Sequence, residues 1–168
     1  SAASDVYKRQ ALVQTQPVRC LQTLHMPGKI VPAYQLYFRS GRSTPSCASL
    51  PQIGLIAIAS IEDKASARAG APFGEGCRKA LDYMLELGRK EGFEVKDYDG
   101  YAGVISYGEG TESVGVLAHL DIVPLGDGWT KDPYGGEIEQ GYLFGRGALD
   151  DKGPAMAGFY ALKMLKDK

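Results

Sequence analysis

Histidine is scarce. The chain has two, His25 and His119, so any imidazole chemistry must use one of them. Cysteine is nearly as rare: Cys20, Cys47 and Cys77 are widely spaced and odd in number. That pattern excludes a zinc-type cysteine pair and a disulfide framework, and makes a reducing cytosol the expected compartment. Neither sign of charge dominates. Lys+Arg 19 against Asp+Glu 20 gives a formal charge of −1, so no nucleic acid and no membrane surface is expected as a partner. Long apolar runs are missing too. The longest, residues 53–59, falls far short of the roughly 20 residues that span a bilayer. No basic segment leads into an apolar one near the start, so a secretory signal is not expected.

What is present is the composition of one soluble α/β domain. The chain has 168 residues, 44% hydrophobic and 23% charged, with Gly 22. Its two ends are unlike its middle. The chain opens on Ser1, and residues 5–10 back-translate to a transposon end used in preparing sequencing libraries. Prolines 17, 27, 32, 45 and 51 interrupt the stretch that follows, which shows neither a helical stripe nor strand alternation. Residues 1–52 are therefore expected to be a disordered or artefactual leader. At the other end, Met156, Phe159, Tyr160, Leu162, Met164 and Leu165 describe a largely buried helix over residues 153–168. The chain stops within its last basic turn, the expectation for a truncated fragment.

Between the ends the periodicity is clear. Cys77, Leu81, Met84, Leu85 and Gly88 share one face of a helix that follows the turn at Pro72-Phe73-Gly74, with Gly92 placed to cap it. Residues 93–96 alternate as a half-buried strand, and residues 103–107 form a second. Residues 113–118 are nearly all apolar, which predicts a central strand buried on both faces. Residues 137–139 and 142–144 read as a hairpin turning at Gln140-Gly141. Helix, strands, hairpin and helix in this order predict an α/β layered sheet.

Polar residues gather at the end of the apolar strand. In extended chain, His119 and Asp121 point to the same face about 7 Å apart, at the mouth of the sheet where α/β active sites are common. Asp121 is placed to hold the second ring nitrogen of a metal-bound His119, or to bind metal itself. The plain alternative is a hydrogen-bonded histidine at a strand end. A second cluster, Asp150-Asp151-Lys152, lies in a glycine-rich connection starting at Gly145-Arg146-Gly147. Its carboxylates are hard oxygen ligands. They equally suit the positive end of the following helix as caps, with Lys152 neutralising one of them. Together, one histidine and carboxylates from two connections look like part of a zinc or manganese site. Trp129 is expected to pack on the sheet and Cys77 in the core. Arg146 suits a structural ion pair or the grip of a substrate carboxylate.

Several motifs now agree in order: Val116-Leu117-Ala118-His119-Leu120-Asp121-Ile122-Val123-Pro124, Asp127-Gly128-Trp129, Gly145-Arg146-Gly147 and Asp150-Asp151-Lys152-Gly153-Pro154. They resemble the dinuclear zinc/manganese metallopeptidase family of acetylornithine deacetylase, succinyl-diaminopimelate desuccinylase, aminoacylase and carboxypeptidases. Residues 71–76 and Asp99-Gly100-Tyr101-Ala102-Gly103 are similar to the branch of bacterial Xaa-His dipeptidases and their manganese-dependent relatives. The resemblance covers about residues 53–168.

It implies the N-terminal part of a layered mixed-sheet catalytic domain of zinc-peptidase type, cut before its lid domain. The implied activity is a dipeptidase hydrolysing small dipeptides through a metal-activated water. The family's alternative is an N-acyl amino acid deacylase, and an inactive metal-binding fragment is a third reading. Two divalent ions, zinc or manganese, are the implied cofactors, and a small peptide the implied partner. His119 is implied as a ligand of one metal and Asp150 as the carboxylate bridging both. Asp121, the catalytic candidate beside them, is implied to orient His119. Asp151, Lys152 and Gly153 shape the loop, with a cis peptide bond between Asp150 and Asp151. The family's general base, its other ligands and its lid would lie beyond Lys168.

Overall fold

In the computed structural model, which describes residues 11–15, 49–139 and 142–168, Ala11–Thr15 forms strand β1 and Ser49–Ile56 forms helix α1. Ala11–Thr15 lies inside the stretch expected to be a leader, and Ser49–Ile56 straddles its end at residue 52. The apolar residues of Ala11–Thr15 suffice for one strand, and Pro51 falls in the first turn of α1, where its missing N–H costs nothing. His25, Cys20 and Cys47 lie outside the described residues, as does the rest of that stretch.

Helix α2, Glu75–Lys90, matches the apolar spacing and buries Ala80, Leu81, Met84, Leu85 and Gly88. Its N-cap residue Gly74 offers no side chain, so Ser66 substitutes: its Oγ accepts the Glu75 N–H at 3.1 Å. Asp63 holds that hydroxyl in turn, at 2.7 Å. Gly92, at φ +71°, ends the helix. Its N–H reaches the Arg89 carbonyl and that of Phe93 reaches Gly88, the paired bonds of a Schellman motif. Strands β2 (Glu94–Tyr98), β3 (Ala102–Ser106) and β4 (Val114–Ala118) follow. The hairpin β5 (Glu137–Glu139) and β6 (Tyr142–Phe144) and the helix α3 (Lys152–Lys166) complete the order.

The main sheet runs β2-β3-β1-β4 and is mixed: β1 is parallel to β3 and antiparallel to β4. Register decides which helices share a face. Ile105 and Val116 both pair with position 13, so they point to the same side. The helical glycine Gly88 of α2 lies against Ile105, and Gly158 of α3 lies against Val116. Both helices therefore cover one face. The core between helices and sheet contains Leu55, Leu81, Leu85, Phe93, Ile105, Met156 and Phe159. Phe93 meets Phe159 edge-to-face at 5.9 Å, a favoured aromatic geometry.

Strand β4 departs from its sequence reading. Ala118 is buried, but Val114 through Leu117 are exposed. Among the described residues β4 pairs only with β1, and α3 reaches only one of its faces. Continuous apolarity predicted cover on both faces; no described element supplies the second layer.

Candidate functional site

Strand β4 ends in the buried Ala118, and the next residues leave the sheet at its mouth. The His119 ring is there held between two carboxylates. Nδ1 lies 3.1 Å from the Asp121 carbonyl oxygen and 3.3 Å from Asp121 Oδ1. Nε2 lies 3.0 Å from Asp150 Oδ1. The structure thus brings together all three residues singled out in the sequence, from connections 31 residues apart. Burial alone would lower the His119 pKa. The charge of Asp121, the hydrogen bond to Asp150 and further contacts with Asp121 and Asp151 outweigh it, and the net displacement is upward. The hydrogen bond at Nδ1 goes to the Asp121 carbonyl oxygen, with the Asp121 carboxylate close by as a charge, and the one at Nε2 goes to the Asp150 carboxylate.

The donor set bears on a divalent metal. One imidazole nitrogen and one carboxylate oxygen converge, and their 3.0 Å separation is near the roughly 3.3 Å between two tetrahedral ligands at about 2.0–2.1 Å from zinc. The Asp121 backbone carbonyl meanwhile occupies the other ring nitrogen, as an orienting carbonyl does, with the Asp121 carboxylate 3.3 Å away. In kind and spacing these residues fit half of a metal site. Among the described residues, no group of three or more histidine, cysteine, aspartate or glutamate side chains is placed to hold an ion. A cleft of about 200 Å³ opens over the pair, lined by His119, Asp121, Ile122, Arg146, Leu149 and Asp150.

The peptide bond between Asp150 and Asp151 is cis, as the family resemblance implies. Asp151 occupies the N-cap position of α3 but makes no capping bond. Its Oδ2 accepts the backbone N–H of His119 at 3.1 Å instead. The capping role is therefore corrected: the carboxylate ties the two connections together. Burial lifts the Asp151 carboxyl above the usual range, with the His119 contacts opposing. Gly153 makes the tight loop possible, because a Cβ there would stand 2.0 Å from the Ala148 carbonyl oxygen.

Lys152 does not neutralise a neighbouring aspartate. It is fully buried, and its Nζ donates to the carbonyls of Leu55 at 3.0 Å and Ile58 at 2.6 Å. Burial depresses its pKa to about 8, with Cys77 and Asp121 partly opposing. Ser60, also fully buried, donates from Oγ to the Leu120 carbonyl at 2.6 Å. Nothing in the sequence marks Ser60, since one serine after an apolar run carries no motif. Cys77 is partly buried, and its thiol donates to the Ser60 carbonyl at 3.4 Å. Trp129, expected to pack on the sheet, is exposed. Its Nε1 donates to the Leu125 carbonyl at 2.9 Å, and the Arg146 guanidinium stacks 5.0 Å from its ring. Arg146 donates to the same carbonyl at 2.7 Å. Among the described residues, a backbone oxygen and an indole rather than an ion pair hold it.

Comparison with known proteins agrees with this region. Residues 115–168 match the model of Peptidase family M20/M25/M40. A Bacillus subtilis (strain 168) protein named "Putative dipeptidase YtjP" is 56% identical over 110 residues, covering 66% of this chain and 24% of that protein. A Staphylococcus aureus (strain USA300) protein named "Putative dipeptidase SAUSA300_1697" is 47% identical over 114 residues, covering 68% of this chain and 24% of its own. The chain spans about a quarter of the length of these curated relatives.

Proposed function

We propose that this chain, which carries a segment of peptidase family M20/M25/M40 at residues 115–168, is the first part of the catalytic domain of a metal-dependent dipeptidase. Residues 53–168 form that part, and the parent protein works in the cytoplasm. No helix among the described residues is long and apolar enough to cross a membrane. The relatives' names favour dipeptides over N-acyl amino acids as substrates.

The observation that carries the reading is the 3.0 Å approach of His119 Nε2 to Asp150 Oδ1 while Asp121 holds Nδ1. His119 and Asp150 would hold zinc or manganese. When bound, such ions supply Lewis acidity to a peptide carbonyl and lower the pKa of water. The Asp121 carbonyl oxygen accepts a hydrogen bond from Nδ1–H, which would fix the tautomer and leave the Nε2 lone pair for the ion shared with Asp150. Asp151 holds the His119 backbone, so the ring enters the cleft from a fixed anchor.

The test is hydrolysis of a dipeptide panel by the full-length parent in the presence of manganese or zinc. His119→Ala and Asp150→Ala are expected to abolish turnover, and Asp121→Asn to reduce it. Metal-independent turnover that survives both alanine substitutions would sink the reading.

A further inference from the structure

We propose that residues 55–60 act as a splint that sets the spacing between the two site connections, with Lys152 and Ser60 as its positioning residues. The proposal rests on the reading of His119 and Asp150 as a working pair and adds what holds them in register.

Among the described residues, Ser60 and Lys152 are the two fully buried polar side chains. Each belongs to a link between this one short segment and a site connection. On one side, Ser60 Oγ donates to the Leu120 carbonyl at 2.6 Å and the Ile122 N–H donates to the Ser60 carbonyl at 3.0 Å. Those two bonds bracket Asp121. On the other side, Lys152, two residues after Asp150, donates to the Leu55 and Ile58 carbonyls at 3.0 and 2.6 Å. Both site connections are thus tied to the same six residues.

The choice of lysine is informative. Burying an ammonium is costly unless it is well hydrogen-bonded, and neither carbonyl needs it. Leu55 O already accepts the Ile58 N–H at 3.3 Å, and Ile58 O accepts the Ser60 N–H at 2.9 Å. An apolar side chain would orphan nothing. What the ammonium adds is a link across elements, from the first residue of α3 to the C-terminal end of α1. That end carries the negative pole of the helix and has no basic residue in its own last turn.

The segment is clamped from other sides as well. Leu55 and Ile56 are fully buried. The first turn of α2 presses Gly76 against Ala59, where a Cβ would stand 2.2 Å from the carbonyl oxygen. Gly145 also sits on Ile56, with its would-be Cβ 2.6 Å from Cγ2. A splint held by α2 and the hairpin cannot drift, so both connections inherit one reference frame.

The test uses the 168-residue chain and two readouts. In metal-free protein, amide exchange is followed at His119 and Ile122, with Leu85 in α2 as the internal standard. Lys152→Met and Ser60→Ala are expected to speed exchange at His119 and Ile122 about tenfold or more, with Leu85 unchanged. No selective change, or equal acceleration at all three amides, would overturn the splint. The second readout is binding of cobalt(II) alone, followed by its visible spectrum. Both variants are expected to weaken it by about tenfold, the lower range for changing groups that orient a ligand. Unchanged cobalt affinity in loosened variants would overturn the positioning role and leave only a structural pin. His119→Ala separates the two readings. If it binds cobalt as the wild type does, the site assignment fails, and the exchange arm alone decides the splint.

Discussion

The backbone N–H of His119 donates to Oδ2 of Asp151 at 3.1 Å, so the residue after Asp150, whose carboxylate meets the ring, anchors the histidine main chain. The adjacent carboxylates have divided the work. Asp150 is exposed and reaches the ring, whereas Asp151 turns inward and holds the main chain. Their opposite directions explain why two aspartates stand together where a helix cap would need one.

Asp151→Ala is accordingly expected to destabilise the chain by about 1–2 kcal/mol. A charge-assisted bond disappears and a partly buried N–H loses its acceptor. Asp151→Asn keeps an acceptor and should cost less. Urea unfolding of the three proteins checks the order. Equal stability of the alanine variant and the wild type would mean that the His119 N–H finds another acceptor.

Gly153→Ala is expected to be worse than its size suggests. The added methyl group would meet the Ala148 carbonyl oxygen at 2.0 Å, and backbone cannot swing aside as a side chain can. Gly153 also donates its N–H to the Gly147 carbonyl at 3.2 Å, so a shift breaks a loop bond as well. About 1–3 kcal/mol of stability should be lost, typical of overpacking, together with the His119–Asp150 approach. A crystal structure of the variant with that separation still 3.0 Å would count against this account.

How much of this was legible in the sequence depends on the range of the interaction. Helix α2 was readable because its stripe of Leu81, Met84, Leu85 and Gly88 is set by local periodicity, and the structure buries those four. The pairing of His119 with Asp150 was readable because a strand end and a glycine-rich loop are both places where functional side chains gather. Strand β4 was misread because apolar content reports the capacity to be covered, and the cover itself comes from elsewhere in the chain. Lys152 was read as a local counter-charge, but its partners Leu55 and Ile58 lie 97 and 94 residues earlier. They are backbone carbonyls, which every residue carries, so no side-chain pattern announces them.

Phe159 should be the costliest truncation in the core. It is 1% exposed and meets Phe93 and Tyr160 edge-to-face at 5.9 and 5.5 Å. It also lies on the face of α3 that packs against the sheet. Phe159→Ala is expected to cost about 3–5 kcal/mol, enough to unfold a marginal domain. Tyr160→Ala, at the partly buried edge of the same cluster, should cost clearly less. Matching losses for the two in chemical denaturation would contradict the burial order.

Lys152 gives the chain an unusual alkaline profile. Its pKa falls from 10.5 to about 8 on folding, chiefly through burial. Above 10.5 the amine is neutral in both states and burial carries no charge penalty. Between 10.5 and 8 the unfolded chain binds the proton and the folded chain does not, so stability declines as pH falls through this window. Below 8 both states are protonated, and the full penalty remains. A displacement from 10.5 to about 8 corresponds to about 3 kcal/mol. Lys152→Met has no such group. The stability of the wild type relative to Lys152→Met should therefore rise by up to about 3 kcal/mol from pH 7 to pH 10.5. Taking the difference cancels the tyrosines and other lysines that titrate in the same range. Urea denaturation of both proteins at half-unit pH steps measures it. A flat difference would mean that the ammonium keeps its solvation inside the fold, and a falling one would mean that its two carbonyl bonds outweigh burial.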